Sequence, residues 1–359
     1  MSEGLVFNMV GGGGGIKLSA IDVITAPAKT IYTVGENFDP AGMVVEATYT
    51  NGATANVMGY TCSPTALNTV GTQAITVSYT ERGVTKTVTL TVTVESLPSL
   101  NDCTWAQIKE ISDSGLASNY FAVGDTKAVT LSGTASHLSL NGTYYVYILG
   151  FNHNGAANTI DFGTFKTALS GGIDIALISG HNDDSDFRMN TTATNSGGWK
   201  NSDMRYTILG STDTKNGNAT ASTATNPVAN TLLSTFPADL RAVMKPMTVY
   251  TDNTGGGNDT DSNVTSTVDY LPLLAEYEVF GTRTYANSAE QNYQKQYDYY
   301  AAGNSKVKYH HSETGSPVVW WERSPCWGNS DGFCFVYSNG VAYITGANWA
   351  CGVAPVFRV

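Results

Sequence analysis

The sequence predicts two folded parts: an N-terminal all-β sandwich over residues 16–96 and a C-terminal α+β domain with long loops over 103–359. Three observations support this. The first part holds short runs that alternate apolar and polar side chains between turn residues, as strands do. Residues 97–102 form a short polar break that contains a proline. Beyond it, helical and strand patterns mix and long Asn-, Thr- and Gly-rich stretches separate them.

The composition argues against several classes of function. Only 14% of the residues are charged and 42% are hydrophobic, a mix typical of extracellular or virion β-rich proteins. The 30 acidic and 19 basic residues give a net charge of −11, which disfavours sequence-independent binding of nucleic acid. No apolar run approaches the roughly 18 residues of a membrane span. We therefore expect neither a nucleic-acid partner nor membrane insertion.

Residues 1–15 combine a short apolar stretch with a run of glycines, which predicts a flexible linker or a small N-terminal anchor. The stretch lacks the basic n-region of a secretory signal. We therefore expect synthesis in the cytoplasm without a signal peptide, and work outside the cell only as part of a virion.

The strands of the first part follow from side-chain alternation. In "MVVEATYTNG", Met43, Val45, Ala47 and Tyr49 share one face and Asn51-Gly52 predicts a hairpin turn. Two further strands carry apolar faces in the same way, formed by Ile75, Val77 and Tyr79 and by Val88, Leu90, Val92 and Val94. Strands of this length and spacing predict a small β-sandwich.

The second part begins with a helix that carries Trp105, Ile108 and Ile111 at helical spacing. Two strands follow, "AVTLSGT" and "TYYVYILGFN". A second helix is predicted in "NTLLSTFPADLRAVMK", and "SAEQNYQKQYDYYAAGN" is a further helical candidate. Residues 212–230 and 251–267 are predicted as long loops. The apolar stripe of the second helix consists of Leu232, Leu233, Phe236, Leu240 and Val243.

Candidate metal sites are weak. "DTDSNV" (259–264) begins like a calcium loop, but Val264 and Tyr270 occupy the positions that need Gly and Glu. "HNDDSD" (181–186) and His310-His311 are better explained as surface loops. We expect no metal and no other cofactor.

The sequence also offers no recognisable set of catalytic residues. The hydrolase, zinc-protease and phosphate-loop motifs do not occur. The five cysteines are widely spaced without a C-x-x-C motif, and a Cys326–Cys351 bridge stays open. We expect no catalytic residues and no enzyme activity.

Two resemblances add a hypothesis. "YTVGENFD", "YTNG" and "VGTQAITVSY" resemble bacterial immunoglobulin-like domains, which implies an immunoglobulin-like sandwich acting as a spacer or adhesion module. In the second part, "SDMRYTIL", "FPADLRAVMKPM", "VDYLPLLAEYEVFG", "YDYYAAGN", "VVWWERSP" and "GVAPVFRV" together resemble a phage and bacterial family of unknown function. That family adopts a C-type-lectin-like fold, which is the fold implied for 103–359.

The end of the chain also resembles the variable proteins of diversity-generating retroelements, which carry a hypervariable ligand-binding surface at the C-terminus. In those systems adenines are mutated, so asparagine codons are the usual targets. Trp349 departs from the pattern because adenine changes do not convert an asparagine codon to tryptophan. Six residues between the landmarks Phe333-Cys334 and Gly352 are reachable from asparagine codons: Tyr337, Val341, Tyr343, Ile344, Thr345 and Gly346.

The hairpin "FCFVYSNGVAYIT" has two candidate registers. A two-residue turn pairs Ser338 with Val341 and gives an ordinary aromatic core. A three-residue turn, with Gly340 at positive φ, pairs Tyr337 with Val341. We prefer the second register. A slip of one residue exchanges the two faces. In the preferred register Cys334, Val336, Ala342 and Ile344 point inward, and Phe335, Tyr337, Val341, Tyr343 and Thr345 point outward.

These inferences predict a phage or prophage receptor-binding tail protein that binds a host cell-surface protein or glycan without catalysis. Its N-terminal region would contact other virion proteins, and we expect a homo-oligomer, with a trimer as the resemblance implies. The predicted binding surface comprises Trp327, Asn329, Asp331, Phe335, Tyr337, Asn339, Val341, Tyr343, Thr345, Gly346, Asn348 and Trp349.

Two alternatives are kept. The first is a bacterial surface adhesin or glycan-binding protein of the same fold, not diversified. A calcium-dependent lectin needs a carboxylate cluster in this loop, where only Asp331 lies. The second is an enzyme like the formylglycine-generating enzymes, for which Cys326 and Cys351 are candidates by position. "WWERSP" is interpreted as scaffold, with Arg323 fixing the base of the loop, and "VAPVFRV" as the last strand.

Overall fold

The computed structural model describes residues 15–179, 187–210 and 222–359. The chain divides into two compact units, Met1–Leu97 and Pro98–Val359. Strand is the commonest secondary structure. No helix in the described part of the chain has the length and apolar character that crossing a membrane requires. The N-terminal segment 1–14 and the "HNDDSD" loop lie outside the described residues, as does most of the predicted loop at 212–230.

The first unit is built from two sheets, with strand orders β1-β3-β4 and β2-β7-β6-β5. Its strands are β1 Leu18–Thr25, β2 Ile31–Thr33, β3 Val44–Tyr49, β4 Thr54–Val57, β5 Thr61–Ser63, β6 Gly71–Glu81 and β7 Val84–Glu95. The predicted hairpin at Asn51-Gly52 is confirmed, since β3 and β4 pair around it and Gly52 has a φ of +82°. Val45, Ala47, Ile75 and Val77 are fully buried, as their alternation predicts.

The second unit contains both helices and strands. Its helices are α1 Trp105–Asp113, α2 Ala117–Tyr120, α3 Leu232–Thr235, α4 Ala238–Val243, α5 Glu276–Phe280 and α6 Asp298–Ala301. A π-helical segment spans Met204–Leu209, and short turns span His153–Gly155, Trp199–Asn201, Asp261–Asn263 and Ser288–Asn292.

Its strands are β8 Thr126–Ala135, β9 Leu138–Phe151, β10 Ile160–Lys166, β11 Ile175–Ala176, β12 Met247–Asp252, β13 Val264–Asp269, β14 Lys308–His310, β15 Glu313–Val318, β16 Trp320–Pro325, β17 Gly332–Val336, β18 Ala342–Gly346 and β19 Val356–Arg358. They form sheets with strand orders β19-β10-β9-β8, β11-β14-β15, β12-β13 and β16-β17-β18.

The predicted first helix and last strand are both confirmed. Helix α1 begins after Thr104, whose hydroxyl accepts from the Gln107 amide in a capping box. Strand β19 closes the four-stranded sheet by pairing Phe357 with Phe162 of β10. The two rings stack with centroids 5.1 Å apart in the core of the unit.

Three predictions about local structure were wrong. The helix over "NTLLSTFPADLRAVMK" is split into α3 and α4, because Pro237 cannot continue the first helix and instead starts the second. Residues 251–267 are not a single loop, since β12 and β13 pair through them. His310 ends a strand rather than lying in a loop. The stripe of apolar residues from Leu232 to Val243 is nevertheless buried.

Candidate binding surface at the C-terminal hairpin

The hairpin of β17 and β18 adopts the three-residue turn. Phe335 pairs with Tyr343 and Val336 with Ala342. The Tyr337 amide donates to the Val341 carbonyl at 2.8 Å, and Gly340 has a φ of +86°. The preferred register is therefore confirmed, and glycine is needed at the turn because other residues rarely adopt that φ.

The two faces of the hairpin differ in burial next to the turn, whereas β17 is buried on both faces. Cys334 and Val336 are fully buried, while Ala342 and Ile344 are half-buried at its edge. On the opposite face Tyr337, Val341 and Tyr343 are exposed to 45%, 50% and 51%. These three exposed side chains form the centre of the candidate surface.

Phe335 corrects the prediction for this face. Its side chain is only 4% exposed, because the ring of Trp321 packs edge-on against it, 6.2 Å away between centroids. Tyr337 and Tyr343 cover it from outside, at 6.1 and 5.8 Å. Phe335 therefore supports the two tyrosines from below and is not itself available to a partner.

Two tryptophans extend the exposed surface. Trp349, the most exposed of the group at 66%, lies beside Gly346, where an added Cβ would come within 3.4 Å of its indole. Trp327 is 44% exposed, and its amide donates to the carbonyl of Tyr285, whose ring packs edge-on against Tyr343. The hairpin patch is defined here as Trp327, Tyr337, Val341, Tyr343 and Trp349.

The cationic side chain of Arg283 packs on Trp327, at one end of the hairpin patch. The Arg283 guanidinium lies 4.7 Å from the centre of the Trp327 ring. Asp259 fixes that guanidinium through a 2.8 Å ion pair. Asp259, the first residue of the "DTDSNV" segment, is therefore used in an ion pair. Within the described residues no group of His, Cys, Asp and Glu side chains is arranged to hold a metal ion.

The remaining residues of the predicted surface fall into three groups. Asp331, Asn339 and Asn348 are exposed, while Thr345 and Gly346 are half-buried along β18. Asn329 has a structural role instead, because its side-chain oxygen accepts from the amides of Asp331 and Gly332 at 3.0 and 2.8 Å. These two hydrogen bonds stabilise the turn that precedes β17.

Asn195 is a site residue that the sequence prediction missed. Its buried side-chain nitrogen donates to the carbonyls of Asn329 and Gly332 at 2.9 and 3.0 Å. Its oxygen accepts from the Gly256 amide at 2.8 Å. The Asn195 side chain therefore connects the turn before β17 with the loop that contains Gly256. No local signal in "TNSGGW" distinguishes this asparagine from an ordinary turn residue.

The base of the hairpin rests on buried charge. Arg323 forms a two-pronged ion pair with Glu278, at 2.6 and 2.8 Å, and donates to the Leu273 carbonyl. The Arg323 guanidinium lowers the pKa of Glu278 against the raising effect of burial. The predicted pairing of Arg323 with a backbone carbonyl and an acid is confirmed, although these partners lie on Leu273 and Glu278 and not in the hairpin. Trp320 and Trp321 on the same strand are both fully buried, as scaffold residues.

Two further acids lie near this pair. Burial raises the pKa of Glu290 to about 7, although Ser324 and the Asp252 amide donate to it. Burial and the neighbouring acids raise the pKa of Glu322 well above its usual range. Neither Glu322 oxygen has a hydrogen-bond partner among the described residues. The glutamates in the apolar run "LLAEYEVF" were the available sequence signal for a buried charge site.

All five cysteines lie within the described ranges and are free thiols. The open possibility of a Cys326–Cys351 bridge is thus decided against. Burial raises the pKa of Cys326 to about 11 and raises that of Cys351 further. Nucleophilic chemistry needs the thiolate, which such surroundings disfavour.

Comparison with known proteins matches two separate regions of the chain. Residues 25–94 match the bacterial Ig-like domain (group 3) family. No curated protein matches the chain. Residues 175–359, more than half of the chain and the whole of the hairpin with its supporting strands, match the family described as domain of unknown function (DUF6273). The chain belongs to the DUF6273 family, with a bacterial Ig-like domain preceding the matched region.

Proposed function

We propose that this protein is a phage or prophage receptor-binding tail protein, and that the hairpin patch binds a host cell-surface ligand without catalysis. The observation that carries the proposal is the group of five exposed aromatic and aliphatic side chains on a buried scaffold. Tyrosine and tryptophan supply large contact area at low cost in conformational entropy. Such residues dominate the energetics of protein interfaces.

The buried scaffold supports the proposal because the residues that maintain the fold are not the ones exposed for contact. Behind the patch, β16 and β17 are buried along their whole length. After Trp349 the chain is buried from Cys351 to Val359, and Gly352 hydrogen-bonds with Val319 and Trp321 of the scaffold. Exposed side chains between two such anchors tolerate replacement, since substitutions at exposed sites change stability little.

We also propose a C-type-lectin-like fold for the second unit. The feature that supports it is the return of β19 to pair with β10, so that the intervening chain forms one long excursion from a single sheet. The hairpin patch lies within that excursion. This fold assignment and the proposed binding role are separate, and neither requires the other.

We propose that a diversity-generating retroelement varies three of the five residues of the hairpin patch, while Trp327 and Trp349 do not fit the adenine pattern. Tyr337, Val341 and Tyr343 are exposed, and adenine changes alone convert an asparagine codon to each of their codons. The neighbouring landmarks Cys334 and Gly352 are buried. The proposal expects a near-copy of the 3′ end of the gene close to a reverse-transcriptase gene, differing mainly at adenines. A 3′ end that is invariant across many isolates, with no such copy, would contradict diversification while leaving binding untouched.

The Ig-like unit is proposed as the spacer that joins the contact surface to the virion. We propose a homo-oligomer, a trimer, because several copies of one surface multiply a weak affinity. Sedimentation equilibrium of the purified full chain measures this directly, and a monomer at all concentrations would contradict it.

The decisive experiment measures adsorption of labelled full-length protein to a panel of bacterial strains. The variant combines Tyr337→Ala, Tyr343→Ala and Trp349→Ala, three exposed members of the hairpin patch. We expect adsorption to fall by about tenfold or more, because the loss of a single aromatic that contributes about 1.4 kcal/mol already weakens binding tenfold. The matched control is Leu116→Ala, which removes a 47% exposed side chain elsewhere in the same unit.

Adsorption that is equal for the wild type and the triple variant, with wild-type melting behaviour, would refute the role of the patch. A strong loss of stability in the triple variant would instead show that these side chains belong to the core. The three single variants then distinguish a role in binding from a role in the core. Trp349→Ala is the most informative of them, because Trp349 has the greatest exposed fraction.

A further inference from the structure

The exposed residue Trp327 is held from outside the C-terminal hairpin. Its amide donates to the Tyr285 carbonyl at 2.8 Å, and the next amide, that of Gly328, donates to the Gly257 carbonyl at 2.9 Å. Its indole Nε1 lies 3.5 Å from the Thr284 carbonyl, to which it donates. A side chain that is already fixed in its binding position loses less conformational entropy when a ligand arrives.

The short segment 283–285 contacts two members of the hairpin patch. The Arg283 guanidinium lies 4.7 Å from the centre of the Trp327 ring. The Tyr285 ring packs edge-on against Tyr343, with centroids 6.1 Å apart and planes 71° apart. Trp327 precedes β17 and Tyr343 lies in β18, so this one segment supports side chains from two parts of the patch.

The carboxylate of Glu276 holds the segment 283–285 from inside the unit. Its Oε2 accepts from the Tyr285 and Ala286 amides at 2.9 and 2.7 Å, and its Oε1 accepts from the Tyr285 amide at 3.0 Å. Glu276 and Ala286 are both fully buried. Hydrogen bonds to an ionised acceptor are roughly twice as strong as those between neutral groups, so two consecutive amides are held firmly.

The two glutamates of α5 use their charges differently. Glu278 pairs with the Arg323 guanidinium inside the scaffold. Among the described residues no cationic side chain forms an ion pair with Glu276, although a buried carboxylate needs compensating donors. The Tyr285 and Ala286 amides are those donors. Glu276 therefore fixes a loop that contacts the hairpin patch, whereas Glu278 stabilises the scaffold.

We propose that Glu276 is a positioning residue of the hairpin patch: by fixing the backbone of Tyr285, it sets the positions of Trp327 and Tyr343 for the ligand. This inference rests on the proposed binding role of the patch, and Glu276 itself touches no ligand. Apparent affinity falls with the fraction of molecules in the binding-competent form. A segment that is in place in about one molecule in ten therefore weakens binding about tenfold without removing a contact residue.

Two variants of Glu276 and one control, all made in the full chain, test this role. Glu276→Leu keeps a similar volume but removes both acceptor oxygens, and Glu276→Gln keeps one of them. Glu36→Leu is the matched control, because the Glu36 carboxylate also accepts from a backbone amide, that of Thr33 at 2.7 Å, in the first unit. Adsorption and spectra are measured well below each melting temperature, so that every variant is folded.

The first measurement needs no ligand. Fluorine NMR of the chain labelled with fluorotryptophan gives a signal for each tryptophan, and Trp327→Phe assigns the signal of Trp327. We expect this signal to shift in Glu276→Leu, to shift less in Glu276→Gln and to stay in Glu36→Leu. The signal of Trp105 should stay in all three variants, because its ring packs against Phe162 in the sheet.

The second measurement is adsorption of the labelled chains to a bacterial strain that binds the wild type. We expect adsorption to fall by about tenfold in Glu276→Leu and to recover to within about threefold of the wild type in Glu276→Gln. Glu36→Leu should adsorb like the wild type. Recovery by the conservative variant is expected because the retained oxygen can still accept from both amides.

The outcomes keep this inference apart from the proposed function. A Trp327 signal that does not move in Glu276→Leu would overturn the inference, and so would wild-type adsorption by a variant whose Trp327 signal has moved. A wild type that adsorbs to no strain contradicts the proposed function instead, and the Trp327 signal then decides on positioning alone. If Glu276→Leu does not fold, as its melting curve shows, the smaller shift in Glu276→Gln decides.

Discussion

The backbone amide of Tyr337 donates a 2.8 Å hydrogen bond to the carbonyl oxygen of Val341, and this bond fixes the register of the C-terminal hairpin. It places Tyr337, Val341 and Tyr343 on the outer face and Cys334 and Val336 in the core. With the alternative two-residue turn the pairing shifts by one position and the aromatic side chains no longer share one exposed face.

Gly340→Ala should destabilise the hairpin. Gly340 has a φ of +86°, and an added Cβ would lie 3.2 Å from Cγ2 of Val307. We expect a loss of about 1–2 kcal/mol in the free energy of unfolding, since an L-residue in this region is strained. Urea unfolding measures it. The control is Gly315→Ala, where nothing lies within 4 Å of the added Cβ. An equal effect of both substitutions would contradict the assigned turn.

Phe335→Ala should cost far more stability than Val341→Ala, although the two residues lie on the same face of the hairpin. Phe335 is 4% exposed and Val341 is 50% exposed. Emptying a buried phenylalanine site costs about 3–5 kcal/mol. An exposed substitution usually changes stability by less than about 0.5 kcal/mol. Comparison of the two urea midpoints tests the assignment, and a mild Phe335 variant would return that residue to the binding surface.

Arg323→Met should be among the most destabilising substitutions in the second unit. The change leaves Glu278 buried without its cation, and breaking a buried pair from one side costs about 3–5 kcal/mol. Lys109→Met removes one side of an exposed pair with Asp113, where a loss below about 1 kcal/mol is expected. Thermal unfolding of both variants measures the contrast. Similar melting temperatures would show that Glu278 finds another partner.

The contribution of Glu290 to stability should fall as the pH rises from about 4.5 to about 7. The pKa of Glu290 is raised from an ordinary value of 4.5 to about 7, so the folded protein binds the proton more tightly than the unfolded chain does. Its contribution is therefore complete at low pH and is lost as the pH rises through 7. Glu278, whose pKa is lowered, acts in the opposite sense and only below about 4.5.

Melting curves across this interval measure the effect. Between pH 4.5 and 7, Glu290→Gln should lose less stability than the wild type, because one of the buried carboxyls with a raised pKa is gone, while Glu313→Gln, at an exposed position, should follow the wild type. The same pH dependence in the wild type and in Glu290→Gln would refute the raised pKa of Glu290.

The features that the sequence predicts best are local ones. Alternation around Asn51-Gly52 and around Gly340 predicts both hairpins, because strand period and turn chemistry act over a few residues. Phe335 shows the limit of that reasoning. Its face is predicted correctly, but its burial depends on Trp321 on a neighbouring strand and on the two tyrosines above it. The alternation of a strand predicts on which face a side chain lies, whereas packing against other elements determines how exposed that side chain is.

Asn195 and Glu278 mark a second limit. Each acts on groups more than forty positions away in the chain, Asn195 on the carbonyl of Gly332 and Glu278 on Arg323. Such long-range polar contacts leave no periodic trace in a single sequence. The break at Pro237 was predictable in principle, because a proline interrupts a helix. The long apolar stripe on both sides of it led to the prediction of a single helix instead.

The pairing of β10 with β19 also sets an order of events during synthesis. Asp161 and Arg358, which join the two strands by an ion pair, are 197 positions apart. While a ribosome makes the intervening chain, the edge of β10 that β19 later occupies has no strand to pair with. The sheet is completed only after the hairpin has been made. Each change in the hairpin patch is therefore present before the unit closes, and a hairpin that folds badly delays the burial of that edge.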